Sequence, residues 1–266
     1  PRMPTISGLR RRGYPAEALR HFCDEVGTSR ADSIVDVAML ESAVRNHLNK
    51  SASRGMAVLR PHRLTLTNYQ GEQVLALPNH PANELFGNRE LMISAHLFID
   101  QNDFRREANK HFKRLVLGKR VRLRGAFVIE ASHCETDSSG IVTHVYAKCI
   151  TNVSGVDPDD GHKPKGVVHW VSAKHAVRAT VRQYDRLFIE SNPGQFDNIL
   201  EAVNPDSLKI FDEALIEPSL ADAEREEVFQ FEREGYYVAD RHEHSSNSPV
   251  FNMTIGLRDT WSKKNG

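Results

Sequence analysis

The hydrophobic positions of residues 1–51 recur at helical spacing. A first run follows Pro15 and stops near Gly27, the usual arrangement of proline at a helix start and glycine just past its end. In a second run the apolar residues lie three and four positions apart: Ile34, Val37, Ala38, Leu40, Val44 and Leu48. Asp32 or Ser33 can cap that second helix. Both helices therefore present an apolar stripe that needs a surface to pack on.

After Arg54 the pattern changes to short apolar runs in which polar residues alternate every second position. These runs are 57–59, 64–66, 74–77, 92–99, 121–129, 141–150, 166–172, 176–183, 229–238 and 250–257. Many short strands separated by turn residues predict antiparallel sandwiches or barrels. We expect two interruptions: a helix over Asp103–Phe112 with Asp103 as its N-cap, and a long connection over Ile189–Ser207.

Composition narrows the class of protein. The chain has 266 residues, 39% hydrophobic and 26% charged, which suits one large domain or two to three small ones. No stretch approaches the roughly 18 apolar residues of a membrane span. Three cysteines without C-x-x-C spacing predict reduced thiols and a cytosolic protein. The start at Pro1–Pro4, with neither an initiator methionine nor a signal peptide, leads us to expect a piece of a longer protein.

A net charge of zero conceals a dense basic segment between Phe104 and Arg124, in which Glu107 is the only acid. Its basic residues are Arg105, Arg106, Lys110, Lys113, Arg114, Lys119, Arg120, Arg122 and Arg124. Such a segment is typical of a local polyanion site. Charge alone fits a solvated basic face equally well.

The spacing of these basic residues favours RNA. If 121–124 is a strand, Arg122 and Arg124 project from one face, about 7 Å apart, while Val121 and Leu123 point inward. Two guanidinium groups at that distance can meet the base edges and phosphates of a single strand. Lys113 and Arg114 add charge, and His111 and Phe112 add rings for stacking. The alternative is a basic sheet edge that discourages strand pairing, for which one or two lysines suffice.

Other candidate chemistry is weak. The sequence has no Walker loop, no G-x-G-x-x-G, no G-x-S-x-G and no H-E-x-x-H. His242-Glu243-His244 is interpreted as a solvated loop and not a metal pair, and Asp157, Asp159 and Asp160 as a plain acidic turn without calcium-loop spacing. His169-Trp170 is interpreted as core. No catalytic residues or metal ligands are therefore predicted, and binding is left as the main activity.

Several segments, in order along the chain, carry a resemblance to a known family. Pro1–Tyr14 resembles the segment that follows the Met-Ser-Lys catalytic loop in glutaminyl-tRNA synthetases. The further segments similar to that family are Asn68–Glu72, Phe104–Lys110, Gly166–Ser172, Phe229–Tyr236 and Val250–Trp261.

The resemblance implies a mostly β fold with an N-terminal α-helical subdomain. It implies two antiparallel β-barrels, the distal one inserted into the proximal one. Transferred to this chain, the helical subdomain covers 1–51. The proximal barrel covers 52–98 and 175–266, and the distal barrel covers 99–174.

The resemblance also implies a function: the anticodon-binding portion of an enzyme that joins glutamine to tRNA(Gln) with ATP and Mg²⁺. The family's His-x-Gly-His motif and Met-Ser-Lys loop are not in this sequence. We therefore expect no cofactor in this segment and no charging activity from it alone, with glutamine and ATP bound by a catalytic domain outside it. The remaining expectations are a cytoplasmic monomer without membrane association.

Anticodon contacts are implied residue by residue. Arg54, Gln230 and Arg233 resemble residues that contact the middle anticodon base. Lys113 and Arg114 resemble contacts to the third base, and Arg122 and Arg124 resemble contacts to the first base. Asn49 resembles a contact to the anticodon loop. His111 stands where some members have glutamine, so its contact to the middle base can differ and can depend on pH. Ala82 stands where some members have asparagine, so a loop contact can be missing. Ion pairing of Arg233 with Glu232 or Glu234 remains the structural alternative.

Two other functions stay open: the same region of an archaeal or eukaryotic-type glutamyl-tRNA synthetase, and a stand-alone RNA-binding module. The residues Met3–Gly8 favour a glutaminyl-tRNA synthetase over a glutamyl-tRNA synthetase. We also hypothesise that the connection Ile189–Ser207 transmits anticodon binding towards the helical subdomain and a catalytic domain.

Overall fold

The structure is a computed structural model that describes residues 1–27, 35–190 and 192–258. Its α-helices are α1 (Ile6–Arg11), α2 (Ala16–Val26), α3 (Val37–Ser51) and α4 (Pro218–Ala221). The strands are β1 (Ser53–Gly55), β2 (Ala57–Val58), β3 (Pro61–Leu66), β4 (Glu72–Pro78), β5 (Asn88–Ser94), β6 (His96–Asp100), β7 (Phe104–Arg105), β8 (Leu115–Val116), β9 (Arg120–Leu123), β10 (Val128–Thr136), β11 (Val142–Cys149), β12 (Val167–Val168), β13 (Val171–Ser172), β14 (Val177–Tyr184), β15 (Leu208–Ile216), β16 (Val228–Phe231), β17 (Gly235–Ala239) and β18 (Val250–Gly256). In the described ranges no helix has the length and apolar character of a membrane span.

Contacts divide the chain into two compact units. The first unit comprises Pro1–Arg54, Thr180–Asp212 and Asp222–Gly266, and the second comprises Gly55–Ala179 and Glu213–Ala221. The mostly β character with N-terminal helices is confirmed, and the two large sheets are curled and barrel-like. Strands β3 and β6 pair in the same sheet as β11, and the boundaries between a proximal and a distal barrel stay a prediction.

The first unit packs its helices on a sheet in which β1, β16, β17, β18, β14 and β15 are neighbours in that order. Helix α2 follows Pro15 and ends at Gly27, whose φ of 72° is the left-handed geometry that favours glycine at a helix end, as predicted. The second predicted helix begins later than expected: Asp36 caps it, accepting from the amide of Ala38. The proposed caps Asp32 and Ser33 lie outside the described residues. The helical stripe is buried against the sheet in one cluster with core residues Tyr14, Ala18, Val44, Leu48, Ala52, Tyr236 and Ile255.

A buried carboxylate ties helix α1 to this sheet. The side chain of Asp240 is fully buried and accepts hydrogen bonds from Arg11 at 2.9 and 3.2 Å. It also accepts from the amides of His242 and Glu243 and from the Asn252 side chain. Burial alone would raise the pKa of Asp240, but these donors, Arg11 foremost, outweigh it and hold that pKa well below its ordinary value.

The second unit is built on a sheet in the order β12-β9-β10-β11-β3-β6-β13, with β4–β5 and β7–β8 as separate pairs. One continuous core fills it, including Trp170, Phe127, Leu64, Ile99 and Val121. The core role predicted for His169-Trp170 is confirmed, since both side chains are only 1% exposed.

The same unit contains a buried ion pair. Arg89 Nε lies 2.6 Å from Glu217 Oε1, and the two side chains are 5% and 1% exposed. Glu217 also accepts from the Met56 amide and the Ser219 hydroxyl, so its oxygens are bonded although they are removed from water. These contacts attach the short segment Glu213–Ala221 to the rest of its unit.

The helix predicted over Asp103–Phe112 is wrong. Gln101–Asp103 form a single 3-10 turn, and Phe104 and Arg105 form strand β7, which pairs with β8 in parallel. Asp103 is 2% exposed, and its carboxylate binds Arg114 and does not cap a helix. Phe104 joins the core of the second unit.

Other runs need smaller corrections. Apolar runs 92–99, 121–129, 166–172 and 229–238 are each divided between two strands, and β15 was not predicted. His244 is not solvated: it is 1% exposed, and its Nδ1 accepts from the amide of Val250. The connection Ile189–Ser207 contains short 3-10 turns and a bridge between Phe188 and Val203.

The cysteines are unpaired, as predicted. In the hairpin of β10 and β11, Cys134 faces Val145 and Cys149 faces Ile129, so the two thiols are not opposite each other. Burial raises the pKa of Cys149 to about 11, which keeps it a thiol at neutral pH.

We expect Asp240→Asn to lower the free energy of unfolding at pH 7 by roughly 2–3 kcal/mol, because the charge-assisted bonds to Arg11 are weakened. A carboxylate whose pKa is lower in the folded than in the unfolded state stabilises the folded protein. Its full contribution is present above the unfolded pKa, about 3.9 for aspartate, and it decreases as the pH falls below that value. The difference between wild type and variant should therefore shrink as pH falls below about 4. Urea unfolding of both proteins at pH 7 and pH 3 measures this difference in unfolding free energy. The control is the exposed Asp24→Asn, and a difference independent of pH would contradict the assignment.

Gly166→Ala should destabilise the second unit. An added Cβ at this position would lie 1.8 Å from the carbonyl oxygen of Lys113, so one backbone segment has to move. Such overpacking costs about 1–3 kcal/mol in unfolding free energy. Urea unfolding followed by circular dichroism measures the loss. Gly194→Ala is the matched control because its nearest atom, Asn192 Oδ1, is 3.5 Å away; equal stability of the two variants would refute the close approach.

Candidate nucleic-acid interface

Four of the nine predicted site residues belong to the first unit, and the structure brings them together from distant parts of the sequence. Asn49 is in the last turn of α3, and Arg54 follows on β1. Gln230 is on β16, the strand next to β1, and Arg233 is in the turn between β16 and β17. We call these four residues the first-unit group.

Hydrogen bonds order the centre of this group. Arg54 Nη2 lies 3.3 Å from the backbone oxygen of Asn49 and 3.2 Å from its Oδ1. The Tyr236 hydroxyl donates to the same Oδ1 at 3.3 Å. Tyr236 is also the cross-strand neighbour of Gln230. One side-chain oxygen of Asn49 thus connects Arg54 to the strand pair that carries Gln230.

Arg54 retains a donor that none of the described residues uses. The residue is 7% exposed, and its buried Nη1 has no hydrogen-bond partner among the described residues. A buried donor without a partner costs about 1–3 kcal/mol, and more if it is charged. An acceptor supplied by a ligand would remove that cost, as the predicted role of Arg54 requires.

Arg233 has an unusual backbone. Its φ of 70° lies in the left-handed region, which only a few per cent of residues other than glycine adopt. The tight turn is closed by a hydrogen bond from the Glu234 amide to the Phe231 carbonyl. Backbone conformations of this kind are concentrated at functional sites, where the surrounding structure enforces them.

The other five predicted residues, the second-unit group, are His111, Lys113, Arg114, Arg122 and Arg124. The predicted alternation of the last two is confirmed: Val121 and Leu123 are fully buried, while Arg122 is half-buried and Arg124 exposed. Strand β9 lies between β10 and β12, so it is not an edge strand. The alternative interpretation, a row of charges that protects a free sheet edge, is therefore wrong.

Acidic residues hold two arginines of β9. Arg122 Nη2 lies 2.6 Å from Asp157 Oδ1, and Nη1 donates to the Val156 carbonyl at 3.0 Å. Arg120 lies 2.9 Å from Glu130 and 2.7 Å from Asp160. The turn 157–161 was predicted as an acidic turn without a role. The sequence does not reveal where these carboxylates lie; in the structure, Asp160 contacts Arg120 and Asp157 contacts Arg122, and both neutralise positive charge. We call Arg120, Arg122 and Arg124 the arginine row.

These contacts also set the charge state of the acids. The hydrogen bond from Lys163 and the charges of Lys163 and Arg122 hold the pKa of Asp157 below its ordinary value. The backbone amide of His162 and the side chain of Arg120 lower the pKa of Asp160. Both carboxylates are thus ionised at neutral pH, and the net charge of this face is much smaller than its arginine count indicates.

The remaining residues of the second-unit group lie in the turn before β8. Arg114 Nε is 3.2 Å from Asp103, and Nη1 donates to the Asn102 carbonyl at 2.9 Å. Its guanidinium lies 5.9 Å from the centre of the Phe112 ring, and that of Arg105 lies 4.6 Å from it. Phe112 therefore contacts two cations of its own chain.

His111 and Lys113 are exposed in the same turn. The backbone of Lys113 is pressed against Gly166, whose carbonyl accepts from the Arg122 amide at 3.0 Å. The two contacts at Gly166 thus connect the turn to β9.

Comparison with known proteins identifies the family of this chain. Residues 52–150 and 167–240 each match a family model described as tRNA synthetases class I (E and Q), anti-codon binding domain. Together the two matches cover more than half of the chain and include Arg54, the whole second-unit group, Gln230 and Arg233.

Curated relatives match over nearly the whole chain. The chain is 50% identical over 264 residues to a protein named glutamine–tRNA ligase from Shigella boydii and 51% identical over 263 residues to one from Tolumonas auensis. A protein of the same name from Escherichia coli O157:H7 is 50% identical over 264 residues. These alignments cover 98–99% of this chain and 48% of each relative, so the chain spans about half the length of the curated relatives it matches. The chain belongs to the anticodon-binding domain family of the class I tRNA synthetases for glutamate and glutamine.

Proposed function

We propose that this chain is the anticodon-reading portion of a glutamine–tRNA ligase and that its partner is tRNA(Gln). The observation that carries the proposal is Arg54, a nearly buried arginine whose Nη1 has no partner among the described residues and which lies at the centre of a group assembled from two distant segments. Relatives that share half of its residues over almost the whole chain bear the glutamine–tRNA ligase name. Family membership alone covers both glutamate and glutamine enzymes, and these relatives favour glutamine.

Each group has the chemistry for a different part of the anticodon. The first-unit group offers Arg54, Gln230 and Arg233 to the middle base, with Asn49 orienting Arg54. Arginine donates to base carbonyl and nitrogen acceptors, and glutamine both donates and accepts. In the second-unit group, Arg122 and Arg124 serve the first base, and Lys113 and Arg114 the third. His111 adds an exposed ring that can stack on a base.

We further propose that a distal barrel, residues 99–174, is inserted into a proximal barrel, residues 52–98 and 175–266. The support is the chain order: Gly55–Ala179 of the second unit lies between Pro1–Arg54 and Thr180–Asp212 of the first. Such an insertion lets one chain present two separate reading surfaces.

Catalysis is assigned to the rest of the full-length protein. Glutamine, ATP and Mg²⁺ are proposed to bind there, because this sequence lacks the His-x-Gly-His and Met-Ser-Lys motifs. The chain itself is proposed to act as a monomer in the cytosol and to form no aminoacyl-tRNA.

The connection Ile189–Ser207 is proposed to link base reading to catalysis. It contains short 3-10 turns and exposes Leu200 and Ile199 to 72% and 52%. Shortening it in a full-length ligase should lower the charging rate more than tRNA affinity, because the loop transmits binding without contributing to it. Single-turnover charging and equilibrium binding measure the two effects, and equal losses would argue against the link.

The direct test is fluorescence anisotropy of this chain with a tRNA bearing the anticodon CUG, at two salt concentrations. The comparison is the same tRNA with all three anticodon bases changed. We expect tighter binding of the CUG tRNA at both salts, because base contacts persist when phosphate contacts are screened. Equal binding that disappears with salt would refute base reading.

Matched arginine variants locate the reading surface. Arg124→Gln should reduce discrimination at the first base by roughly tenfold, since a good arginine–base contact is worth about 1–3 kcal/mol. Arg20→Gln removes the same charge from an exposed position of α2 and should leave the discrimination unchanged.

A further inference from the structure

Arg122 is held in position before any RNA arrives. Its Nη2 lies 2.6 Å from Asp157 Oδ1, and its Nη1 donates to the Val156 carbonyl at 3.0 Å. The two bonds leave from different terminal nitrogens, so they fix both the position and the plane of the guanidinium. The Arg122 side chain is 17% exposed. Three of its five N–H donors are not used by these two bonds.

The residue that holds Arg122 is itself anchored. Asp157 binds Arg122 through Oδ1 and Lys163 through Oδ2, the latter at 2.9 Å. A carboxylate held by two cations at its two oxygens has little freedom to rotate. Its orientation is therefore maintained by Lys163 as well as by Arg122.

We propose that Asp157 is a specificity-determining residue that acts through Arg122. It directs the unused donors of Arg122 to the first anticodon base and cancels the charge that would attract any phosphate. This inference rests on the proposed function, because it assumes that Arg122 faces an anticodon base.

The orienting part of the argument concerns conformational freedom. A free arginine side chain has many rotamers, and fixing one on binding costs about 0.5–1.5 kcal/mol for a rotamer-rich side chain. It can also turn to a neighbouring phosphate, which carries no sequence information. With Asp157 and Val156 holding the guanidinium, a base with acceptors in the right place meets donors already in position, and a wrong base meets donors that cannot adjust.

The charge part of the argument concerns non-specific binding. Each cation that neutralises a phosphate releases a counterion and makes affinity steeper in salt. Asp157 offsets Arg122, and Glu130 with Asp160 offsets Arg120. Exposed Arg124 stands just past the end of β9. The arginine row therefore favours reading a base over attracting any polyanion.

Two substitutions at one position separate these effects. Asp157→Ala removes both the acceptor and the charge, whereas Asp157→Asn removes the charge and keeps an acceptor oxygen for Arg122. The matched control is Asp160→Ala, which takes one carboxylate from Arg120 and leaves Glu130 in place. Binding of the 266-residue chain is measured by anisotropy with the CUG tRNA and with a tRNA changed only at the first anticodon base.

We expect Asp157→Ala to reduce first-base discrimination roughly tenfold. Its affinity for the changed tRNA should rise at low salt, with a salt slope steeper by about 0.7, the contribution of one additional phosphate contact. Asp157→Asn should show the same steeper slope with a smaller loss of discrimination. Asp160→Ala should keep the discrimination of wild type.

The wild-type chain is measured first. If it binds the two tRNAs equally well, both the proposed function and this inference are refuted. If wild type discriminates and both Asp157 variants do so equally well, Asp157 has no part in specificity and the inference fails. Asp157 is 42% exposed in a loop; thermal unfolding checks each variant, and the asparagine variant alone decides the salt slope if the alanine variant does not fold.

Discussion

Strand β9 is hydrogen-bonded on both sides, and the geometry of the second-unit group depends on this constraint. Pairing with β10 and β12 leaves each side chain only two directions, into the core or out of the sheet. Val121 and Leu123 fill the core, so Arg120 and Arg122 must point outward. The Trp170 indole donates to the Arg124 carbonyl at 3.0 Å and thereby fixes the end of the strand. A register shift of one residue would bury the arginines, and the hydrophobic core therefore also determines where the cations lie.

The two groups of site residues achieve order by different means. In the first-unit group, Arg54 is nearly buried and donates to a neutral amide, and its Nη1 has no partner in the described part of the chain. In the second-unit group, Arg114 and Arg122 are more exposed and are bonded to Asp103 and Asp157. A buried cation is oriented by its surroundings at the expense of desolvation. A more exposed cation needs a charged partner to orient it, and that partner also reduces its attraction to phosphate.

Sequence periodicity predicted the parts of the fold in which one local rule dominates. The alternation at 121–124 and the proline–glycine limits of α2 were predicted correctly, because the sheet pleat and the helix end each impose a fixed pattern. Asp103 was misassigned because a cap and a buried ion-pair partner require the same residue type, and only the tertiary contact with Arg114 distinguishes them. Strand β15 was missed because Lys209, Asp212 and Glu213 interrupt its alternation. Pairing of Leu215 with Val58, far away in the sequence, stabilises it instead.

The arrangement of the site could be inferred from sequence only through resemblance. Asn49 and Gln230 are 181 positions apart, and no periodicity relates them; the neighbouring strands β1 and β16 place them in one group. The acidic turn 157–161 is a second example of what the sequence alone does not show. Its aspartates were visible in the sequence, but their function depends on which cations they reach, and that is set by the loop between β11 and β12. A chain of zero net charge that binds a polyanion needs its positive charge placed by such pairings, because an overall excess of cations would attract every phosphate equally. Neutrality is thus consistent with the RNA binding proposed above, in which the acids select the arginines that meet the ligand and orient them.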